Sequence, residues 1–164
     1  MKPDKIDFKI IETLQRHGRM TNKELAEHVS LSPSACLERH KRLEQEGILH
    51  SYGAQVALEK ITPYSAVLVE VTLKNHLSAD FQRFENAIIK IPEIVECYAV
   101  GGGIDYVLKF VARSIEHYQQ MMEQLLNDDI GIDRYFSYFI TQQVKKTPYP
   151  VSRFVQDTKA TDSE

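Results

Sequence analysis

The chain has 164 residues, 43% hydrophobic and 26% charged, the composition of an ordinary globular protein with room for one domain or two small ones. Its 20 Lys/Arg against 23 Asp/Glu leave a net charge of −3, which excludes a globally basic nucleic-acid coat protein. No apolar run approaches the ~20 residues that span a bilayer, and the opening MKPDKIDFK lacks the apolar stretch of a signal peptide. Cys36 and Cys97 have neither metal nor redox spacing, so a soluble protein of the reducing cytoplasm is expected.

The charge is unevenly spread. Residues 1–62 carry ten basic and nine acidic side chains, whereas 63–164 carry ten and 14. Apolar periodicity changes at the same place, from helical to alternating strand and helix, with Pro63 near the join. Two modules are expected, divided as a helical domain over 1–50, a hinge over 51–63, a mixed domain over 64–150 and a tail over 151–164.

Asp4 can cap a first helix whose Ile6, Ile10 and Leu14 recur every four residues, with Ile11 widening the stripe. Gly18 is expected to stop it in the left-handed conformation. Thr21 and Glu24 have the spacing of a capping box, opening a second helix that buries Leu25, Ala26 and Val29 and ends by Ser30. Ser32 caps a third helix with Pro33 in its first position, running to Glu46 and closed by Gly47. The few residues between the second and third helices match a helix-turn-helix.

At 100° per residue, Cys36, His40 and Leu43 share the inward stripe of the third helix. Ser34, Ala35, Glu38, Arg39, Lys41 and Arg42 cover the far side, with Ser32 at its start. Short hydroxyls beside Arg and Lys suit a major groove, where Arg grips guanine edges while Lys and Ser hold phosphates. A solvated amphipathic helix gives the same charge pattern; the capped helix-turn-helix frame favours double-stranded DNA. Residues 48–57, mixed in polarity around Gly53, read as a short strand, which on sequence alone fits an edge strand within the chain equally well.

In the second module, Ser65–Leu73 alternates, with Val67, Val69, Val71 and Leu73 on one face. Ser78 is placed as the cap of a helix bearing Phe81, Phe84, Ile88 and Ile91, which Pro92 ends. Two apolar strands over 94–100 and 104–112 flank Gly101-Gly102-Gly103. Ile115, Tyr118, Met122 and Leu125 mark another helix, and 132–144 a long aromatic strand. The order βαββαβ is the ferredoxin-like plan, an α+β sandwich with both helices on one face of an antiparallel sheet. The other face then presents Val, Tyr and Phe side chains, and Tyr135, Phe136, Tyr138 and Phe139 make both sides of the last strand apolar. Two sheets packed face to face in a symmetric homodimer would cover that patch.

The triple glycine fits three uses. A phosphate loop would need a following Lys-Ser/Thr and a helix, and neither is present. A tight turn is the plainest use. A ligand loop is the third, with open backbone N–H groups for a carboxylate and Asp105 for an ammonium, the two ends of an α-amino acid. Nothing in the sequence supports catalysis, a metal or a cofactor: the six histidines (17, 28, 40, 50, 76, 117) are scattered, and Cys36 and Cys97 read as packing residues.

Residues 4–49 resemble the DNA-binding domain of the Lrp/AsnC (feast/famine) transcription regulators. The resemblance rests on Asp4 and Asp7, Gly18-Arg19, Glu24-Leu25-Ala26, Leu31-Ser32-Pro33, Arg39 with Lys41-Arg42-Leu43, and Gly47-Ile48. Glu38 and His40 depart from the residues usual there. Gly102, Asp105 and Tyr106 fall on the G-x-x-D-Y positions of the same family's effector domain, and Gly131 with Gln142-Gln143-Val144-Lys145 continues the match. This resemblance implies a winged-type helix-turn-helix and a hinge strand that pairs with another subunit. It also implies dimers assembling to octamers and a small amino acid held non-covalently by Gly101, Gly102, Gly103, Asp105 and Tyr106, with Ser137 approaching from a neighbouring subunit. A ferredoxin-like small-molecule or enzyme domain without DNA binding is the alternative.

Overall fold

The computed structural model describes residues 2–156, which fall into two compact units divided near residues 55 and 145. The expectation of a mobile TKATDSE terminus lies outside the described residues.

The first unit begins with α1 (Lys5–Arg16), α2 (Asn22–Val29) and α3 (Pro33–Gln45). Each is started by a side chain that satisfies N–H groups the helix itself cannot. Asp4 Oδ1 accepts from the N–H groups of Ile6 and Asp7 at 2.8 and 3.0 Å, and Asp7 reciprocates toward the Asp4 N–H at 2.9 Å. Thr21 and Glu24 form the second capping box, and Ser32 caps α3 through the Ala35 N–H at 3.3 Å. Ile10, Leu14, Leu25, Ala26, Val29, Cys36 and Leu43 close the core.

Three expectations change here. α1 ends on His17, at φ −130° and ψ 64°, and Gly18 does not adopt positive φ; among the described residues of this unit Ser30 at 59° and Gly47 at 69° do. Residues 48–57 form no strand within the chain, because a strand needs a neighbour for its N–H and C=O groups and none of the described residues supplies one. Residues 151–156, assigned above to a tail, form a short helix α6 (Val151–Gln156) belonging to this unit. Val151 packs on the helical core, and the Ser152 N–H donates to Glu12 at 2.9 Å.

The second unit holds β1 (Ser65–Leu73), α4 (Ser78–Ile88), β2 (Ile94–Ala99), β3 (Tyr106–Ala112), α5 (Ile115–Asn127) and β4 (Ile132–Phe139). The strand order is β2-β3-β1-β4 with antiparallel pairing throughout, the expected ferredoxin-like arrangement. Val67, Val69, Val71, Leu108 and Phe110 pack against Phe84, Ile88, Tyr118, Met122 and Leu125. Ser78 is the first residue of α4 rather than its cap: Asp80 accepts from the Leu77 N–H instead. β4 stops at Phe139, five residues short of the expected end. On the helix-free face, register aligns Tyr138 with Leu68 and Leu68 with Lys109, beside Phe136 opposite Glu70. Leu68, Phe136 and Tyr138 are exposed there, at 38%, 54% and 51%.

Candidate functional site

The helical unit aims one face of α3 outward. Ser32, Ser34, Glu38 and Lys41 are exposed, Ala35 is half-buried, and a shallow depression runs along Ala35, Glu38, Arg39, Lys41, Arg42 and Gln45. Cys36 and Leu43 point into the core. The two arginines are otherwise engaged than the sequence suggested. Asp7 is fully buried, and its carboxylate receives Arg39 Nη1 at 2.9 Å and Arg42 Nη2 at 2.8 and 2.7 Å. Arg39 Nη1 also reaches Asp4 at 2.7 Å. Both guanidiniums therefore tie α3 to α1, and Glu38 and Lys41 stand exposed beside them, with the Ser34 hydroxyl 3.2 Å from that of Ser32 at the start of the helix. The Asp7 N–H and then Arg39 hold the Asp4 carboxyl below its ordinary value.

Asp7 was visible in the sequence as a family position but not as the arginines' partner. A signal existed: it lies three and four residues before Ile10 and Ile11, on the buried stripe, and a buried carboxylate needs paired cations. His40, half-buried as its stripe position implies, meets Tyr52 Oη at 2.6 Å, and Tyr52 donates to Glu44 at 2.9 Å. Burial and Glu44 push the Tyr52 hydroxyl up to about 12, so it remains a donor. No periodicity pointed to Tyr52, because it lies in the irregular segment.

In the second unit the glycine loop joins β2 to β3. Gly102 has φ +142°, and a Cβ added at Gly101, Gly102 or Gly103 would meet nothing within 4 Å. Asp105 is anchored: its N–H donates to the Val71 carbonyl, its own carbonyl accepts from Val100, and its Oδ2 accepts from the Leu73 N–H at 2.7 Å. His76, which the sequence did not single out, places Nε2 3.1 Å from the same carboxylate. Tyr106 is 2% exposed, faces α4 between Phe81 and Phe84, and donates to Glu85 at 2.8 Å. Burial and Glu85 push its hydroxyl up. It is a core residue in this conformation, so its hydroxyl is not free for a ligand as expected. Ser137 lies apart from the loop, bonded to Tyr118 in a groove of about 400 Å³ between α5 and β4. The chain thus brings Asp105 and the glycines together but not Ser137.

Cys36 is the packing residue expected, and burial pushes its thiol up, which disfavours the thiolate a nucleophile needs, whereas Cys97, expected to pack as well, is exposed. Among the described residues no cluster of metal-ligating side chains occurs, and no helix is long and apolar enough to cross a membrane.

A capped helix-turn-helix joined to a ferredoxin-like domain with an open glycine loop defines a DNA-binding transcription regulator with a ligand-binding domain. Family models agree: residues 3–50 match a winged helix-turn-helix DNA-binding domain, and residues 66–150 match the Lrp/AsnC ligand-binding domain. The chain belongs to the Lrp/AsnC family. Its relatives include the transcriptional regulatory protein DoeX of Halomonas elongata, 43% identical over 93% of this chain and 96% of that protein. The leucine-responsive regulatory protein of Escherichia coli K12 is 35% identical over 88% of each chain. A transcriptional regulator of Neisseria meningitidis, solved with L-Met, superposes with a TM-score of 0.87 at 31% identity, covering 93% of this chain and 99% of that one.

Proposed function

We propose that this regulator reads double-stranded DNA through the outer face of α3 and changes its affinity for DNA when a small amino acid occupies the glycine loop. The observation that carries the reading is the division of labour on α3. Arg39 and Arg42 brace the helix, while the exposed Glu38 and Lys41 face outward toward phosphates and base edges. Lys41 holds a phosphate, and Glu38 accepts from a cytosine amino group.

One such head carries too little positive charge to bind tightly alone, so the protein works as a homodimer, paired through the exposed Leu68, Phe136 and Tyr138 face and further assembled to an octamer. The effector's carboxylate meets the open N–H groups of Gly101–Gly103, and its ammonium meets Asp105. Ser137 of a neighbouring subunit completes that pocket. The setting is the cytoplasm, where DNA and free amino acids meet, and the role is regulation without catalysis.

Fluorescence anisotropy with DNA selected from genomic fragments tests the DNA face. Lys41→Ala should weaken binding to all sequences alike and reduce the salt slope by about 1 for each head bound, about 2 for a dimer, with helicity and assembly mass unchanged. An unchanged affinity and slope would remove Lys41, and with it the outer face of α3, from the interface.

A further inference from the structure

The Asp105 carboxylate is the fixed charge of the glycine-loop site. Its backbone is held on both sides, by the bond from its N–H to Val71 and the bond from Val100 to its carbonyl, each 2.9 Å. The Leu73 N–H occupies Oδ2. The carboxylate is 15% exposed, so it cannot swing to meet a ligand; a ligand must come to it. What stands before it is His76, on the connection between β1 and α4. Its Nε2 lies 3.1 Å from both carboxylate oxygens, and its side chain is 57% exposed. A carboxylate only accepts, so Nε2 carries the proton in this contact. The ring's other neighbour is the uncharged Phe81, at a centroid separation of 5.9 Å.

Resting on the reading of this loop as the effector site, we propose that His76 is a displaceable occupant of the site, and that the ligand class is set by what can displace it: a free primary ammonium. An imidazole N–H offers one donor from a ring anchored at the surface. An α-ammonium offers three donors and a full charge in a compact group, and reaches the same oxygens once His76 swings into solvent. The connection carrying His76 is exposed from residue 74 to 79, so the side chain has somewhere to go. Gly101 and Gly103 have no positive φ and no crowding atom, so nothing among the described residues requires them to lack a side chain. Their bareness leaves the approach open for the carboxylate end of the same molecule. An amino acid whose nitrogen is acylated has no cation to trade for the imidazole and is excluded.

The contact is self-limiting in a useful way. With His76 swung away, the mostly buried Asp105 charge would keep only the Leu73 N–H, so the unliganded protein keeps the site better satisfied while remaining ready to exchange. His76 therefore weakens effector binding, the reverse of what a ligand-contacting residue does.

Calorimetry on the full chain with the twenty common amino acids, and with the N-acetyl derivative of the tightest binder, tests this. His76→Ala should bind that amino acid roughly 3- to 10-fold tighter than wild type, with His76→Gln, which retains one donor, in between. Asp105→Asn should lose binding, and the N-acetyl derivative should bind none of the three. His76→Ala or His76→Gln binding equally or more weakly, with wild-type helicity and assembly mass, would overturn the exchange while leaving the effector site in place. Failure of wild type and both variants to bind any free amino acid would overturn the effector site itself and the exchange with it.

Discussion

Asp7→Asn is the substitution whose cost can be worked most directly from the coordinates. Asp7 is buried completely and accepts from Arg39 once, from Arg42 twice and from the Asp4 N–H. An asparagine keeps the shape but places a donor against at least one guanidinium donor and removes the charge that both arginines answer. Removing one member of a buried ion pair costs about 3–5 kcal/mol. The arginine side chains keep 26% and 29% of their exposure, so water recovers part of their solvation and the low end applies, about 3 kcal/mol. At roughly 4–8 °C per kcal/mol for a small domain, the helical unit should melt roughly 12–24 °C earlier. Hydrogen exchange of amides in α1 and α3 isolates that unit from the sheet domain. A loss below about 1 kcal/mol would refute the argument, since it would mean the arginines neither need nor stabilise the buried carboxylate. The same calculation explains why Arg39→Ala or Arg42→Ala is a poor probe of DNA contact: each frees a face of Asp7 and disturbs the head itself.

Three further outcomes follow from particular residues. Glu38→Ala should relax selection at one base pair of each half-site by a factor of about 5 to 150, the 1–3 kcal/mol of a direct base contact, with binding elsewhere in the site unchanged; an unaltered selected sequence would show that Glu38 reads no base. The Asp4 carboxyl lies below its ordinary 3.8 because it accepts the Asp7 N–H and pairs with Arg39. Its stabilising contribution is therefore complete above the unfolded value and is lost as pH falls below about 4, so Asp4→Asn should flatten the acid limb of the helical unit's stability. An acid limb identical to wild type would contradict this. Phe136→Glu should place a charge in the exposed sheet face and dissociate dimers in sedimentation experiments, whereas an unchanged mass would move the interface elsewhere.

The helices and most of the sheet were legible because their signals are local. Asp4, Thr21 and Ser32 cap within three residues of themselves, and the valines of β1 alternate on their own strand. What escaped depends on residues far apart in the chain. Asp7 meets Arg42 across 35 positions and His76 meets Asp105 across 29, and neither separation leaves a periodic trace. Arg39 and Arg42 read as free cations because composition cannot tell a free cation from one held by a buried carboxylate. Tyr106 misled in a similar way, since its place beside Asp105 in sequence puts it on the opposite side of the strand from the loop opening, under α4. The strand expected over 48–57 requires a neighbour that none of the described residues supplies.

Linkage between the two sites is the claim on which the rest depends. DNA affinity measured by anisotropy at fixed salt, with and without the amino acid that calorimetry selects, tests it most directly. The effector should change the DNA dissociation constant about 5-fold or more, and saturating DNA should change the effector's dissociation constant by the same factor. Amino-acid binding that leaves DNA affinity unaltered, at an operator the protein selects for itself, would contradict the account.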